Sequence, residues 1–242
     1  PWQEMDWFLL LIAVGLTGFA GIMIRSTELN FGWTDWWQHW LMGGISLMGT
    51  FALARMRYEH LLRWQWWIYG IICGSLLAVR FVGTSALGAQ RWISIGGFHV
   101  QPSEFAKVGA IIVLAANLSV TTASTLGAVF RTLLIIFVPW ALVFLQPDLG
   151  TSLVFGAITL VMLYWAEAHW GWLVLMLSPL ISAILFGVWL PAWFMWLVLI
   201  VVVTYISLPQ WPIAPLFTLI GNLVCGGLGN WFWLNLLRDY QR

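Results

Sequence analysis

The chain has 242 residues, of which 62% are hydrophobic and only 8% are charged, and its formal net charge is +1. A soluble globular protein carries about 25% charged residues, so this composition excludes a soluble domain and favours a chain that lies in a lipid bilayer. The near-zero charge provides no basic patch for phosphates, which argues against nucleic acid as a partner.

Long apolar runs predict membrane-spanning α-helices of about 20 residues, because lipid offers no partners for backbone polar groups. The strands of a membrane barrel would instead show short alternating segments. The predicted fold class is therefore all-α, a polytopic transmembrane helical bundle with about nine spans. In chain order, the spans are approximately 7–24, 38–54, 65–83, 103–119, 131–146, 150–166, 171–189, 192–208 and 213–236.

Basic residues in the loops predict the orientation. The loop after the second span holds Arg55, Arg57 and Arg63, which is the densest basic cluster and is placed in the cytoplasm. The fourth and sixth spans then both begin outside, and the odd span count puts the C-terminus outside as well. Small residues in the last span predict close helix contacts there; they are Gly221, Gly226, Gly227 and Gly229.

Two polar segments combine reactive side chains with helix starts. In both, Gln-Pro precedes an acidic residue at the head of an apolar run, where proline suits the first turn and a negative charge suits the helix dipole. Such residues also serve as plain helix-start signals and interfacial anchors. The first segment runs from Gly88-Ala89-Gln90-Arg91-Trp92 to Gln101-Pro102-Ser103-Glu104-Phe105-Ala106-Lys107, and the second is Gln146-Pro147-Asp148-Leu149-Gly150-Thr151-Ser152.

These two helix starts predict an anion site at the outer side of the membrane. Glu104 and Lys107 are three residues apart on one helix face and could pair. Lys107 lies about one turn inside a span, where a charge usually marks function, and Arg91 could reach the same pocket from the preceding loop. An anionic lipid with a diphosphate head would suit this arrangement. The candidate substrate-binding residues are Arg91, Gln101, Ser103, Glu104, Lys107 and Asp148.

Taken together, the segments 88–92, 101–107 and 146–152 resemble the signatures of the SEDS family (RodA, FtsW, SpoVE). Leu149 and the closing residues 238–242 are more similar to RodA than to FtsW. The resemblance covers approximately residues 6–166 and the final few residues. It implies a peptidoglycan glycosyltransferase that polymerises lipid II at the outer face of the bacterial plasma membrane during cell elongation and shape maintenance.

The same resemblance implies partners and residue roles. A class B penicillin-binding protein, the elongation machinery and membrane lipids are the expected partners, and a divalent cation, Mg or Mn, is expected at the diphosphate. Arg91 and Lys107 would contact the phosphates, Glu104 would orient Lys107 or hold the cation, and Asp148 could also hold it. The remaining two candidates, Gln101 and Ser103, would cap and shape the pocket.

The sequence departs from the family in two respects. Residues 170–235 hold three predicted spans in place of one, so we expect an insertion of two extra spans within a single transmembrane domain, residues 1–242. The chain also begins without Met and stops where the family's large extracellular loop starts. The Asp that resembles the family's catalytic base is therefore expected beyond Arg242, so the catalytic residue is unknown. This N-terminal part is expected to bind a lipid diphosphate weakly without polymerising it.

Two other functions remain open at this point. A transporter that flips lipid-linked cell-wall precursors would also place polar residues inside spans and helix ends beside a cavity. A structural scaffold for the elongation complex is the third alternative. An in vitro polymerisation assay separates these three functions.

Overall fold

The computed structural model describes residues 6–31, 36–86, 89–95, 98–146 and 148–235. Each of the nine predicted spans coincides with a helix in this part of the chain, which confirms the all-α transmembrane fold. A further short helix, α3, lies in the arginine-rich loop and was not predicted. The helices are α1 (Trp7–Phe31), α2 (Trp36–Arg55), α3 (Tyr58–Arg63), α4 (Gln65–Val82), α5 (Pro102–Val120), α6 (Leu126–Phe144), α7 (Leu149–Trp165), α8 (Trp170–Val188), α9 (Leu190–Ser207) and α10 (Ala214–Asn235).

The span count of nine is approximate. Among the described residues, six helices are long and apolar enough to cross a membrane, namely α1, α4, α5, α6, α8 and α9. Helix α7 is apolar but has only 17 residues. Helices α2 and α10 have 20 and 22 residues, but they carry polar side chains such as Gln38 and Asn222, which lower their hydropathy.

The outer surface is apolar while several polar side chains are buried, which is the reverse of a soluble protein. On α9, Phe194, Met195 and Val198 are between 59% and 70% exposed, whereas Asn222 and Thr132 are fully buried. Apolar surface of this extent needs lipid to cover it. The molecule is therefore a multi-pass membrane protein.

The loop between α4 and α5 forms three short strands, where the sequence had predicted no regular structure. Aromatic and β-branched residues such as Trp92 and Ile93 favour an extended backbone here. The strands form one sheet in the order β1-β2-β3, and β1 pairs with β2 in antiparallel fashion. Arg91 is thus carried on a strand. The strands are β1 (Thr84–Ala86), β2 (Ala89–Ile95) and β3 (Phe98–Val100).

The chain divides into two compact units, residues 1–64 with 94–99 and residues 65–93 with 100–242. In the first unit, α1 packs closely against α2. The indole of Trp40 covers Gly21, where an added Cβ would lie 2.7 Å from Cζ2 of that ring. A ring nitrogen of His39 lies 2.9 Å from the carbonyl oxygen of Thr17, a bond that holds the two helices together.

The single domain with an insertion at 170–235 stays a prediction.

In the second unit, α4 to α7 share a dry hydrophobic core. Leu76, Leu114, Val143 and Phe155 are at most 1% exposed within it. The absence of a side chain at Gly109 brings α5 close to α4, since an added Cβ would lie 2.8 Å from Ile72. This core fixes the starts of α5 and α7 relative to each other.

Helices α8, α9 and α10 are joined by a buried polar network. The side-chain amide of Asn222 donates to Ser178 Oγ at 2.9 Å, and its Oδ1 accepts from Trp196 Nε1 at 3.3 Å. Ser182 Oγ donates to the carbonyl oxygen of Asn222 at 2.9 Å and accepts from Trp193 Nε1 at 2.7 Å. Interhelical bonds of this kind hold helices together in lipid, where no hydrophobic force acts between them.

Two of the four glycines predicted to permit close contact in α10 do so. An added Cβ at Gly229 would lie 2.7 Å from the Cβ of Ala183 on α8, and one at Gly226 would meet an indole ring at 3.0 Å. The other two glycines have nothing within 4 Å of that position. Close approach is therefore confined to one face of α10.

We expect Gly229→Ala to destabilise the packing of α10 on α8 by about 1–3 kcal/mol, because the new methyl group overlaps Ala183 and the backbone must shift. Gly227→Ala is the matched control, since an added methyl group there meets open space. Thermal unfolding in lipid nanodiscs measures both variants. Equal unfolding temperatures for the two variants would contradict this account of the contact.

Helix α7 ends in a Schellman turn with an unusual residue at its left-handed position. The amide of Ala168 donates to the carbonyl oxygen of Leu163 at 3.0 Å, and the amide of Glu167 donates to the carbonyl oxygen of Tyr164 at 3.1 Å. Glu167 has φ of 64°, a conformation that favours glycine. A residue with a Cβ loses roughly 1–2 kcal/mol there.

Glu167→Gly should therefore raise the stability of the protein by about 1 kcal/mol. Ala166→Gly, one residue earlier, is the control, because Ala166 has φ of −87° and gains nothing from glycine. The readout is again the unfolding temperature. A gain from both substitutions, or from neither, would show that the positive φ stores no strain.

Candidate functional site

The starts of α5 and α7 lie together, as the repeated Gln-Pro-acid pattern predicted. Gln101, the residue before α5, donates from Nε2 to Asp148 Oδ2 at 3.3 Å. Pro102 occupies the first helical turn of α5, also as predicted. Pro147 lies outside the described residues. Two positive helix ends thus meet at one end of the bundle.

Asp148 is the N-cap of α7 and does not lie in the first turn, where the sequence had placed it. Its Oδ1 accepts from the amide of Thr151 at 3.2 Å, and its Oδ2 accepts from Thr151 Oγ1 at 3.0 Å. Its carbonyl oxygen accepts from Ser152 Oγ at 2.7 Å. The Asp148 carboxylate is therefore buried and held in one orientation, with both oxygens engaged.

Arg91 reaches the same cluster from strand β2. Its Nη1 lies 3.8 Å from Asp148 Oδ1, and its side chain is 23% exposed. An ion pair that is partly shielded from water is stronger than one on an open surface. Arg91 therefore lies within ion-pair distance of the start of α7, and its role in binding a ligand stays a prediction. The Arg91 side chain is thus partly exposed at the starts of α5 and α7.

The other predicted site residues occupy different positions on α5. Lys107 Nζ lies 2.7 Å from Glu104 Oε2, so the predicted pair forms. The Glu104 side chain is 54% exposed and that of Lys107 is 23% exposed. Ser103 is buried at 2%. Gln101 makes no capping bond, because its amide is directed to Asp148. The predicted role of Gln101 and Ser103 in shaping the pocket stays a prediction.

Gln146 is a structural member of the site that the sequence did not single out. It is 6% exposed, and its Nε2 donates to the carbonyl oxygen of Leu76 on α4 at 2.9 Å. This bond fixes the turn between α6 and α7, two residues before Asp148. The sequence showed Gln146 as the glutamine of the second Gln-Pro-acid pattern but did not place it among the candidate site residues.

An apolar groove of about 790 Å³ begins one turn beyond Asp148, at Ser152, and lies between α6, α7 and α8. Along α7 it continues through Gly156 and Thr159 to Leu160. Phe137, Trp140 and Leu177 belong to its other walls. The polar cluster and the groove together fit a molecule with a charged head and a long apolar tail.

The described residues contain no cluster of three or more His, Cys, Asp or Glu side chains that could hold a metal ion. Both Asp148 oxygens are already engaged, which leaves Glu104 as the exposed carboxylate near the starts of these helices. One carboxylate together with ligand phosphates is a common way to hold Mg²⁺. These residues therefore fit a cation that is bound mainly by the ligand.

The fold and the site define a multi-pass membrane protein with a polar site, which contains the basic side chains of Arg91 and Lys107, at one end of its helices. A family model for FtsW, RodA and SpoVE, described as a cell cycle protein, matches residues 3–207. The chain belongs to this family, as the three sequence segments predicted. The match extends past residue 166, where the resemblance in the motifs had ended, and includes α8 and α9.

Curated relatives come from both branches of the family. The peptidoglycan glycosyltransferase MrdB of Escherichia coli K12 is 32% identical over 171 residues, which cover 69% of this chain and 45% of that protein. The probable peptidoglycan glycosyltransferase FtsW of Allochromatium vinosum is 26% identical over 98% of this chain and 62% of that protein. The chain spans about half the length of the curated relatives it matches.

Solved structures share the fold. The rod shape determining protein RodA of Thermus thermophilus superimposes with a TM-score of 0.61 at 21% identity, over 97% of this chain and 85% of that one. A peptidoglycan synthase complex that coordinates polymerization and crosslinking gives a TM-score of 0.60 at 20% identity, over 99% of this chain and 57% of the other.

Proposed function

We propose that this chain forms the lipid-diphosphate site of a peptidoglycan glycosyltransferase, which polymerises lipid II at the outer face of the bacterial plasma membrane. The main support is the cluster of Arg91, Gln101 and Asp148, which sets a partly exposed arginine side chain beside two helix N-termini. Helix N-termini and guanidinium groups both favour phosphate. The names of the curated relatives agree with this chemistry.

The shape of the site supports a lipid-linked substrate. Arg91 and Lys107 each keep 23% of their side chains exposed, which is enough to contact a diphosphate. The apolar groove that starts at Ser152 offers about 790 Å³ to an isoprenoid tail. A charged head and an apolar tail would then be bound by adjacent parts of one surface.

In glycosyl transfer, the bond between the donor sugar and the lipid diphosphate breaks, and the departing diphosphate carries the negative charge. Arg91, Lys107 and the helix N-termini would stabilise that charge as it develops. A Mg or Mn cation held by the diphosphate and Glu104 would add to this effect. The general base, which by family resemblance is an Asp beyond Arg242, would take the proton of the acceptor hydroxyl.

The same proposal includes partners. A class B penicillin-binding protein would cross-link the product, and the elongation machinery would guide synthesis along the cell. The likeness to a peptidoglycan synthase complex, in which polymerization and crosslinking are coordinated, supports this arrangement.

Binding is tested first, with the 242-residue chain in lipid nanodiscs. We expect lipid II to bind at least about tenfold more tightly than the same isoprenoid alcohol without its diphosphate, because charged hydrogen bonds contribute about 1.5–3 kcal/mol. Equal affinities for the two lipids would contradict a diphosphate site.

Polymerisation is tested with a chimera that joins this chain to the C-terminal half of Escherichia coli MrdB. Incubation with labelled lipid II and Mg²⁺ should yield glycan chains on a gel, whereas the chain alone should yield none. A well-folded chimera that moves lipid II across vesicles without making chains would favour a transporter instead.

A further inference from the structure

A second cavity lies at the other end of helices α5 to α10, away from Asp148. Its volume is about 730 Å³. The α5–α6, α7–α8 and α9–α10 loops form its walls, so three connections that are far apart in sequence meet there. Ser124, His169, Trp172, Gln210 and Trp211 are among its lining residues.

The walls of this loop cavity are held together by specific contacts. The amide of Ala123 donates to the carbonyl oxygen of Ala166 at 2.8 Å, which ties the α5–α6 loop to the end of α7. His169 Nδ1 accepts from the amide of Gly171 at 3.2 Å and caps α8. The rings of Trp172 and Trp211 meet edge to face at a centroid distance of 5.8 Å. The cavity is thus largely pre-formed.

The chemistry of the lining restricts the ligand. None of the described residues that line the loop cavity is Asp, Glu, Lys or Arg, which disfavours a phosphate or an ammonium group. Hydroxyl, imidazole and amide groups line the cavity together with indole rings, which disfavours a purely apolar acyl chain. A neutral molecule with apolar faces and a polar rim satisfies both conditions.

We propose that the loop cavity binds a neutral saccharide, either free or as the head group of a glycolipid. The C–H face of a sugar ring can pack on the indoles of Trp172 and Trp211, while its hydroxyl groups can bond to Ser124, His169 and Gln210. Three loops surround the space, and a compact ring fits that enclosure better than an extended proline-rich peptide, which needs a long aromatic groove.

The test uses the full chain in nanodiscs and saturation-transfer NMR with the neutral disaccharides maltose, cellobiose and chitobiose. Trp172→Leu should weaken binding about tenfold, as for aromatic residues at the centre of a site. Gln210→Ala, at an exposed position that leaves the fold intact, should weaken binding several-fold. Trp165→Leu is the matched control, because Trp165 lies at the same end of the bundle but outside the cavity. This substitution should leave the affinity for the disaccharides unchanged.

A second arm separates the two sources of the sugar. Nanodiscs that contain monoglucosyl diacylglycerol should compete with the free disaccharide if the ligand is a glycolipid, and should not compete if it is a free sugar. The proposal is overturned if no disaccharide and no glycolipid binds at millimolar concentration, if Trp165→Leu weakens binding as much as Trp172→Leu does, or if a proline-rich peptide occupies the cavity instead.

Discussion

Arg91→Ala should weaken the binding of lipid II by about 10- to 100-fold, because it removes the partly exposed cation from the starts of α5 and α7. The side chain of Arg91 is 23% exposed and lies beside a carboxylate that holds it in place. A diphosphate would lose its charged partner while the helix ends remain. Titration of labelled lipid II into nanodiscs measures the change.

Asp148→Ser separates the two roles of Asp148. Serine is a good N-cap, so α7 should keep its start, and the unfolding temperature should fall only by what the lost bonds from Gln101 and Thr151 to the carboxylate contributed. Serine cannot pair with the guanidinium of Arg91, so binding should still fall by about tenfold. The double variant should be little worse than Arg91→Ala alone, because the two residues act through one contact.

The control is Arg131→Ala. It removes an exposed arginine near the start of α6, at the end of the bundle that lies away from Asp148. Its affinity for lipid II should match that of the unmodified chain. Two results would contradict the site: a loss in Arg131→Ala as large as that in Arg91→Ala, or full binding in Asp148→Ser. The second result would mean that Asp148 only caps its helix.

Asn222→Leu should destabilise the α8–α10 bundle by about 2–4 kcal/mol. The asparagine side chain bonds across the bundle to Ser178 and Trp196, and along its own helix to the carbonyl oxygen of Thr218. Interhelical hydrogen bonds in lipid contribute about 0.6 kcal/mol on average and up to about 1.7. The two lost interhelical bonds, together with the cost of leaving Trp196 Nε1 without its acceptor, account for the expected range.

Asn117→Leu provides a matched comparison, because Asn117 is also a buried asparagine in a span. Its amide makes one long contact of 3.5 Å to Thr132 Oγ1, and its Oδ1 has no hydrogen-bond partner. Replacing such a poorly satisfied group should be neutral or slightly stabilising. Unfolding in nanodiscs should therefore rank Asn222→Leu far below Asn117→Leu. The opposite order, or equal losses, would show that these bonds do not decide stability.

The helices, and the start of two of them on one side of the membrane, were predictable because lipid imposes simple rules. A span must be apolar and about 20 residues long, so the apolar runs of the sequence located these helices. The predicted span order and orientation put the starts of the fourth and sixth spans, and hence Gln101 and Asp148, on one side of the membrane. Their direct contact at 3.3 Å is a finding of the structure, because two helix starts on one side of a membrane can still lie far apart.

Contacts between distant spans could not be predicted from one sequence. Ser182 and Asn222 are 40 positions apart, and nothing in either helix shows which face meets the other. Gln146 was likewise missed, because its partner is a backbone carbonyl on α4 and leaves no pattern in the side chains. The strand that carries Arg91 was missed because the three strands of its sheet are short and lie between apolar spans.

The shortness of α7 has a consequence for the surrounding lipid. With 17 residues, α7 is about 26 Å long, less than the roughly 30 Å of a typical hydrocarbon core. The acyl chains around α7 must therefore compress, or the helix start must sit below the level of the head groups. Either response brings water and phosphates down to Asp148. The thickness of the bilayer thus determines how far a lipid head group must move into the membrane to contact Arg91.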